Sequence, residues 1–287
     1  MKARNRMNTI PRLISISLLI VIFCSCSATK VETITFKPSK DFVKSAEGMS
    51  DQEENVIGRA VSARIFSQYK PITNSELTHY LNEVGQTIVA SSQRPETFAG
   101  YSFVILETDE INAMSAPGGY IFISRGFLHL LPDEDTLAAV LAHEVMHISK
   151  RHGLKAIKPG HSADYLEVGQ TLASAVDCAG LSQQLLIAFQ GAVNDVYDAL
   201  LKSGYSQEQE YEADSGALMI LKKAGYNPEA LKVALQILEK QKSKGGWFRT
   251  HPKPTDRIIA ASSNMPKGEV SVEGFKFRKA RFFKAMH

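Results

Sequence analysis

The chain has 287 residues, 44% hydrophobic and 22% charged, with a formal net charge of +3. That length can bury a sizeable core, and the ordinary composition excludes a disordered chain and a polytopic membrane protein. Residues 1–25 carry Lys2, Arg4, Arg6 and Arg12 and no acid, so removing them leaves −1 and excludes a nucleic-acid footprint.

In chain order, those four basic residues and the apolar run from Leu13 to Phe23 predict an export signal, because eleven residues are too few to span a bilayer. Ser25 before Cys26 resembles a bacterial lipoprotein signal, although Phe23 replaces the usual leucine. The resemblance implies that residues 1–25 are cleaved and Cys26 is lipidated. Ser27, in place of the aspartate of inner-membrane retention, then implies the periplasmic side of the outer membrane. With Cys26 acylated, Cys178 has no partner for an internal disulfide. Residues 26–50 are polar and irregular, with Pro38, Gly48 and Ser50, and predict a tether.

The body of the chain predicts an α+β fold, mainly helical with a small sheet. Apolar stripes predict helices from Asp51 to Tyr69 and from Ser75 to Ala90. The aromatic and β-branched runs Tyr101–Leu106 and Tyr120–Ser124 predict strands, with Pro117-Gly118-Gly119 as a turn. Asp133-Glu134-Asp135 complements a helix N-terminus and leads into Leu141-Ala142-His143-Glu144-Val145-Met146-His147. Residues 160–203 look helical without a usable motif. A capping box at Ser206–Gln209 opens a helix that Gly225 stops, Asn227-Pro228 starts another to about Gln241, and Gly245-Gly246 marks a loop before His251-Pro252. Residues 266–287 form a basic, aromatic tail with Phe275, Phe277, Phe282 and Phe283. It reads as a packed terminal element, with adhesion to an anionic membrane surface as the alternative.

Two histidines four apart on a helix project from one face, so His143 and His147 can offer two imidazoles to one metal while Glu144 lies beside it. This is the arrangement of zinc hydrolysis: two neutral rings hold the ion, a water is made acidic, and a carboxylate takes its proton. A catalytic zinc also needs a third protein ligand. His152 is set aside because, if the helix continues, it points away from both rings. A third histidine after a glycine turn is excluded by Lys150 and Gly153, which stand where that pattern needs Gly and His. Glutamate remains. Glu167 lies 20 residues past His147 but has only Thr171 four residues on. Glu210 shares a helix face with Asp214, so one can bind metal while the other accepts the free ring N–H of a histidine ligand, and Glu210 is favoured. Glu208 and Glu212 read as a solvated face.

With these motifs in hand, the sequence resembles the HtpX and Ste-type zinc metallopeptidases, within their soluble periplasmic lipoprotein branch. The likeness runs from about Glu53 to Ile258. It rests on Asn112-Ala113 with Ala116-Pro117-Gly118-Gly119-Tyr120, on the zinc motif with Arg151-His152 behind it, on Glu210-x-x-Ala213-Asp214, and on His251-Pro252 with Arg257-Ile258. It implies a zincin-like metallopeptidase domain over residues 51–265 that holds one zinc ion, with Glu210 as third ligand and Glu144 as general base. It also implies that Asn112 to Ser124 forms an edge strand along the cleft. There Asn112, Ala113, Gly118, Gly119 and Tyr120 would bind an extended substrate and the glycines would allow close approach; pattern alone gives an ordinary hairpin. His251 matches a histidine that can occupy the zinc's open position, or is a helix-entry turn. Arg257 would stabilise an oxyanion or pair with a carboxylate. The transmembrane helices of the HtpX type and a helical-repeat extension are absent from the expectation. The implied activity is cleavage of unfolded or misassembled envelope proteins by a lipid-anchored endopeptidase. The rivals are a chaperone or assembly factor with a latent zinc site, and a closed structural zinc site, in which Glu144 would have no task.

Overall fold

The computed structural model describes residues 48–163, 183–241, 250–251, 253–266 and 271–287, all within a unit spanning Lys37–His287. The export signal, Cys26, most of the tether, Glu167, Cys178, Gly245-Gly246 and Pro252 lie outside the described residues.

Helix α1 (Asp51–Phe66) starts at a capping box in which Ser50 and Glu53 bond each other's backbone, and it ends three residues before the predicted Tyr69. Helix α2 (Ser75–Ala90) starts where Asn74 accepts from the N–H groups of Glu76 and Leu77. The sheet has three strands, β1 (Ser102–Leu106), β2 (Ala113–Ala116) and β3 (Tyr120–Ser124), in the order β1-β3-β2. β3 is central, parallel to β1 and antiparallel to β2. The segment Asn112–Ser124 is the hairpin that pattern alone gives: of its two strands β2 lies at an edge of the sheet, while β3, with Tyr120, is paired on both sides.

A short turn, α3 (Arg125–Leu128), leads to α4 (Glu134–Ser149), capped by Asp133 accepting from Thr136 N–H. Every residue of α4 from Glu134 to Ile148 is buried, the apolar middle Leu137–Ala142 together with the polar residues at both ends. The remaining α-helices among the described residues are α5 (His152–Lys155), α6 (Gln183–Asp198), which runs into a π turn at Ala199–Ser203, α7 (Gln207–Ala224), α8 (Glu229–Lys240), α9 (Pro254–Ser263) and α10 (Val272–Met286). α7 opens on a capping box of Ser206 and Gln209 and stops at Gly225, whose φ of 79° is the left-handed geometry that suits glycine.

Side chains alternate across the sheet. Ile121 and Ile123 join a core with α2, α4, α7 and α8, while Phe122 and Met114 join a second core with α1 and α6. α4 is thereby held between the sheet and α7, its most extensive neighbour. The C-terminal tail is part of the first core: Phe282 of α10 is buried in it. No described helix is long and apolar enough to cross a membrane.

Candidate metal centre

One turn of α4 brings His143 and His147 together, with their Nε2 atoms 3.0 Å apart. From the first turn of α7, Glu210 reaches both: Oε2 lies 3.5 Å from His143 Nε2 and Oε1 3.5 Å from His147 Nε2. His251, just before α9, places Nε2 3.7 Å from Glu210 Oε1. One donor atom from each of the four lies within 4.8 Å of the others, and this group could hold one metal ion. Tetrahedral zinc with bonds of about 2.0–2.1 Å sets its ligand atoms roughly 3.3–3.4 Å apart, close to these separations.

Electrostatics fit the same ion. Both Glu210 oxygens are buried and accept no hydrogen bond; Arg257 Nη1 is 3.1 Å from Oε2 but outside hydrogen-bonding geometry. A buried carboxylate left in this way is costly unless a cation satisfies it. Burial, reinforced by His143, His152, His251 and Arg257, holds the His147 pKa well below its usual value, so the ring stays neutral and keeps a lone pair to donate. Burial and Arg257 press the His143 pKa down, yet Asp214 and Glu210 outweigh them and lift it to about 9. Carboxylates that hold a proton there also favour a metal in its place.

Glu144 points its carboxylate towards β2, where Ser115 Oγ donates to Oε2 at 2.8 Å; Oε1 is buried without a hydrogen-bond partner. Burial raises its pKa to about 7 against the lowering influence of His143 and Ser115, in the range suited to a general base near neutral pH. Sequence reading missed Ser115, which only the register of β2 brings opposite α4.

Behind the rings stand two further pairs. Asp214 Oδ1 lies 3.0 Å from His143 Nδ1, and Arg257 grips Asp214 with Nε to Oδ2 at 2.8 Å and Nη2 to Oδ1 at 2.6 Å. Burial raises the Asp214 pKa, but Arg257 overrides it and holds the carboxyl well below the usual range. Of the two sequence readings for Arg257, the structure shows the carboxylate pairing. On His147, the partner is the residue that sequence reasoning set aside. The helix does not continue: Arg151 is left-handed with φ 54°, and the chain folds back so that His152 Nδ1 lies 2.8 Å from His147 Nδ1. His152 Nε2 is 3.2 Å from Glu212 Oε2, and Glu212 also meets Lys150 Nζ at 2.9 Å. Thus Glu212, read as a solvated face, backs the second ring. Tyr205, also missed, stacks on His147 with ring centroids 4.3 Å apart.

The residues expected to contact substrate make contacts within the chain. Gly118 (φ 80°) and Gly119 (φ 108°) make the β2–β3 turn, but a Cβ on Gly118 would meet Asn55 Cα at 3.0 Å and one on Gly119 would overlap the Gly100 carbonyl. The close approach the glycines allow is therefore made within the chain, and Gly118 N–H donates to Glu54 Oε1 at 2.9 Å. Tyr120 commits its hydroxyl to Asn55 Oδ1 at 3.0 Å. Asn112 and Ala113 are buried where β2 begins, Asn112 N–H donating to Ser124 Oγ at 3.0 Å. β2 itself is the edge strand beside Glu144.

Comparison with known proteins gives a consistent result. The sequence profile of peptidase family M48 matches residues 75–265. The chain is 27% identical over 220 residues to the beta-barrel assembly-enhancing protease of Escherichia coli (strain K12), covering 74% of this chain and 44% of that protein. To the protein of the same name in Yersinia pestis it is 29% identical over 221 residues, 71% of this chain and 43% of the relative. To the mitochondrial metalloendopeptidase OMA1 of Schizosaccharomyces pombe it is 27% identical over 214 residues, 73% of this chain and 58% of the relative. The chain thus spans about half the length of the relatives it matches.

Proposed function

The chain belongs to peptidase family M48, and from that premise we propose that it is a zinc-dependent endopeptidase of the cell envelope that cleaves unfolded or misassembled proteins. The relatives named for β-barrel assembly support the envelope setting. The observation that carries the reading is the convergence of His143, His147, Glu210 and His251, with Glu144 beside them. His143, His147 and Glu210 would hold the zinc, which supplies a Lewis acid that acidifies water and polarises the scissile carbonyl.

The chain's own residues do the rest. Glu144 takes the attacking water's proton on Oε1, is kept in orientation by Ser115 on Oε2, and passes the proton to the leaving amine nitrogen. Asp214 accepts the Nδ1–H of His143 and so turns its Nε2 lone pair inward; Arg257 keeps Asp214 ionised and is a positioning residue. The outer side of β2, whose four residues are buried in this structure, pairs with an extended peptide backbone once it is uncovered. His251 occupies the water's position in a latent state and withdraws for turnover. Residues 1–25 export the chain, Cys26 carries the lipid, and residues 26–50 tether the domain to the outer membrane.

Casein hydrolysis by the purified chain tests this. Glu144→Gln lowers the rate by about 10²–10⁴-fold with zinc content unchanged. If no cleavage depends on Glu144 under any condition, the protein is instead an assembly factor with a latent site.

A further inference from the structure

We propose that the outer face of α10 is a docking surface for an anionic lipid bilayer. The inner side of this helix is fixed. Phe282 is buried, Arg278 bonds Asp135 through Nε and Nη2 at 2.5 and 2.9 Å, and Arg281 bonds Glu134. Helical spacing then sets Val272, Lys276, Lys279 and Phe283 in one outward stripe, with Phe277 and Lys284 on its flank. Val272 is 69% exposed, Phe277 71% and Phe283 59%, so three large apolar side chains share the outward side of one helix.

The pattern selects the occupant. Three lysines interleave with the apolar side chains, and Glu273 is the one acid of the helix. Aromatic side chains that enter the headgroup layer beside lysines that meet lipid phosphates are the chemistry of an interfacial amphipathic helix. A second copy of the chain fits less well, because a two-fold interface would set the same lysines against each other. Bound this way, the bilayer lies against α10, and His143 stands about 14 Å farther along α4 from Glu134.

The proposal does not depend on lipidation of Cys26 or on peptidase activity. Residues 37–287, the compact unit, are mixed with vesicles of phosphatidylglycerol and phosphatidylethanolamine, or with phosphatidylcholine alone, and bound protein is separated by flotation. The chain is expected to partition onto the anionic vesicles and not onto phosphatidylcholine. Each lysine contributes about fivefold, so Lys276→Gln, Lys279→Gln and Lys284→Gln together lower partitioning on the order of a hundredfold. Phe277→Ser with Phe283→Ser lowers it at least roughly tenfold. All five positions are exposed, and unchanged thermal unfolding verifies that the variants fold. Equal partitioning of the unsubstituted chain onto both vesicle types, or variants that bind as it does, overturns the proposal. So does an absence of vesicle binding accompanied by a dimer that the phenylalanine substitutions dissolve, which would assign the face to a second copy.

Discussion

The two ends of α4 each bury acidic groups, and they treat them in opposite ways. At the N-terminal end, Glu134 accepts from the hydroxyls of Tyr80 and Tyr226 at 2.9 Å each and from Arg281; Asp135 accepts from Asn227 N–H at 3.0 Å and from Arg278. Nearly three turns along, Glu144 Oε1 and both Glu210 oxygens are equally buried but accept no hydrogen bond. Burial alone therefore does not mark a functional carboxylate. A saturated cluster is a structural clamp, and an unsaturated one facing imidazoles leaves room for a cation.

The contrast can be broken at either end. The largest effect is expected from Glu210→Gln. One ligand's share of the roughly 10–16 kcal/mol of a structural zinc site corresponds to about a thousandfold loss of zinc affinity, read by chelator competition. Metal-free, the variant gives up the buried ion pair with Arg257 Nη1 at 3.1 Å but no hydrogen bond, and Arg257 keeps Asp214, so it should unfold less than about 3 kcal/mol below the unsubstituted metal-free chain. Glu134→Ala is expected to do the reverse. It strands two buried tyrosine hydroxyls and costs about 3 kcal/mol in denaturant unfolding, while zinc per folded molecule is unchanged. If both substitutions shifted both readouts alike, the distinction would fail.

A smaller effect sharpens the metal end. With Nε2–H turned to Glu212, His152 accepts the Nδ1–H of His147 on its own Nδ1 and fixes that ring's tautomer. His152→Phe should weaken zinc binding about 10–100-fold, and His152→Gln, which retains an acceptor, should recover most of it. Equal affinities in the two variants would remove His152 from the centre. The smallest effect concerns Asp195, far from either cluster. Burial raises its pKa, but the Lys158 N–H at 3.0 Å and the His161 ring at 2.6 Å outweigh it, and the pKa lies below the usual carboxylate range. A depressed carboxyl pKa stabilises the fold above the unfolded value near 4 and loses that contribution as pH falls through the folded value. Asp195→Asn should therefore cost under about 1 kcal/mol at neutral pH, and the difference should vanish in strong acid.

Legibility from sequence followed the range of the interactions. α2 and α7 were readable to the residue because caps and apolar stripes are local: Asn74, Ser206, Gln209 and Gly225 act within a few positions. His143, Glu144 and His147 were readable for the same reason, and Glu210 with Asp214 by spacing on one helix. β2 was readable only through the turn and the strand that follow it, since Ala-Met-Ser-Ala has little intrinsic preference for a strand and becomes one through pairing with β3 and burial. His152 was misjudged because a left-handed arginine breaks the helical register, a conformation that costs a non-glycine residue about 1–2 kcal/mol and leaves no sequence signature. The Glu134 and Asp135 clamp was invisible because its arginines lie more than 140 positions away.

That left-handed turn has a mechanical side. Arg151 donates from Nη1 to the Met49 carbonyl at 2.6 Å and from Nη2 to Asp51 Oδ1 at 2.5 Å, where the chain enters α1. The same residue thus latches the point of entry and sets the hairpin that presses His152 on His147. Displacement of the segment that enters α1 is thus passed through the Arg151 guanidinium to the back of the paired rings.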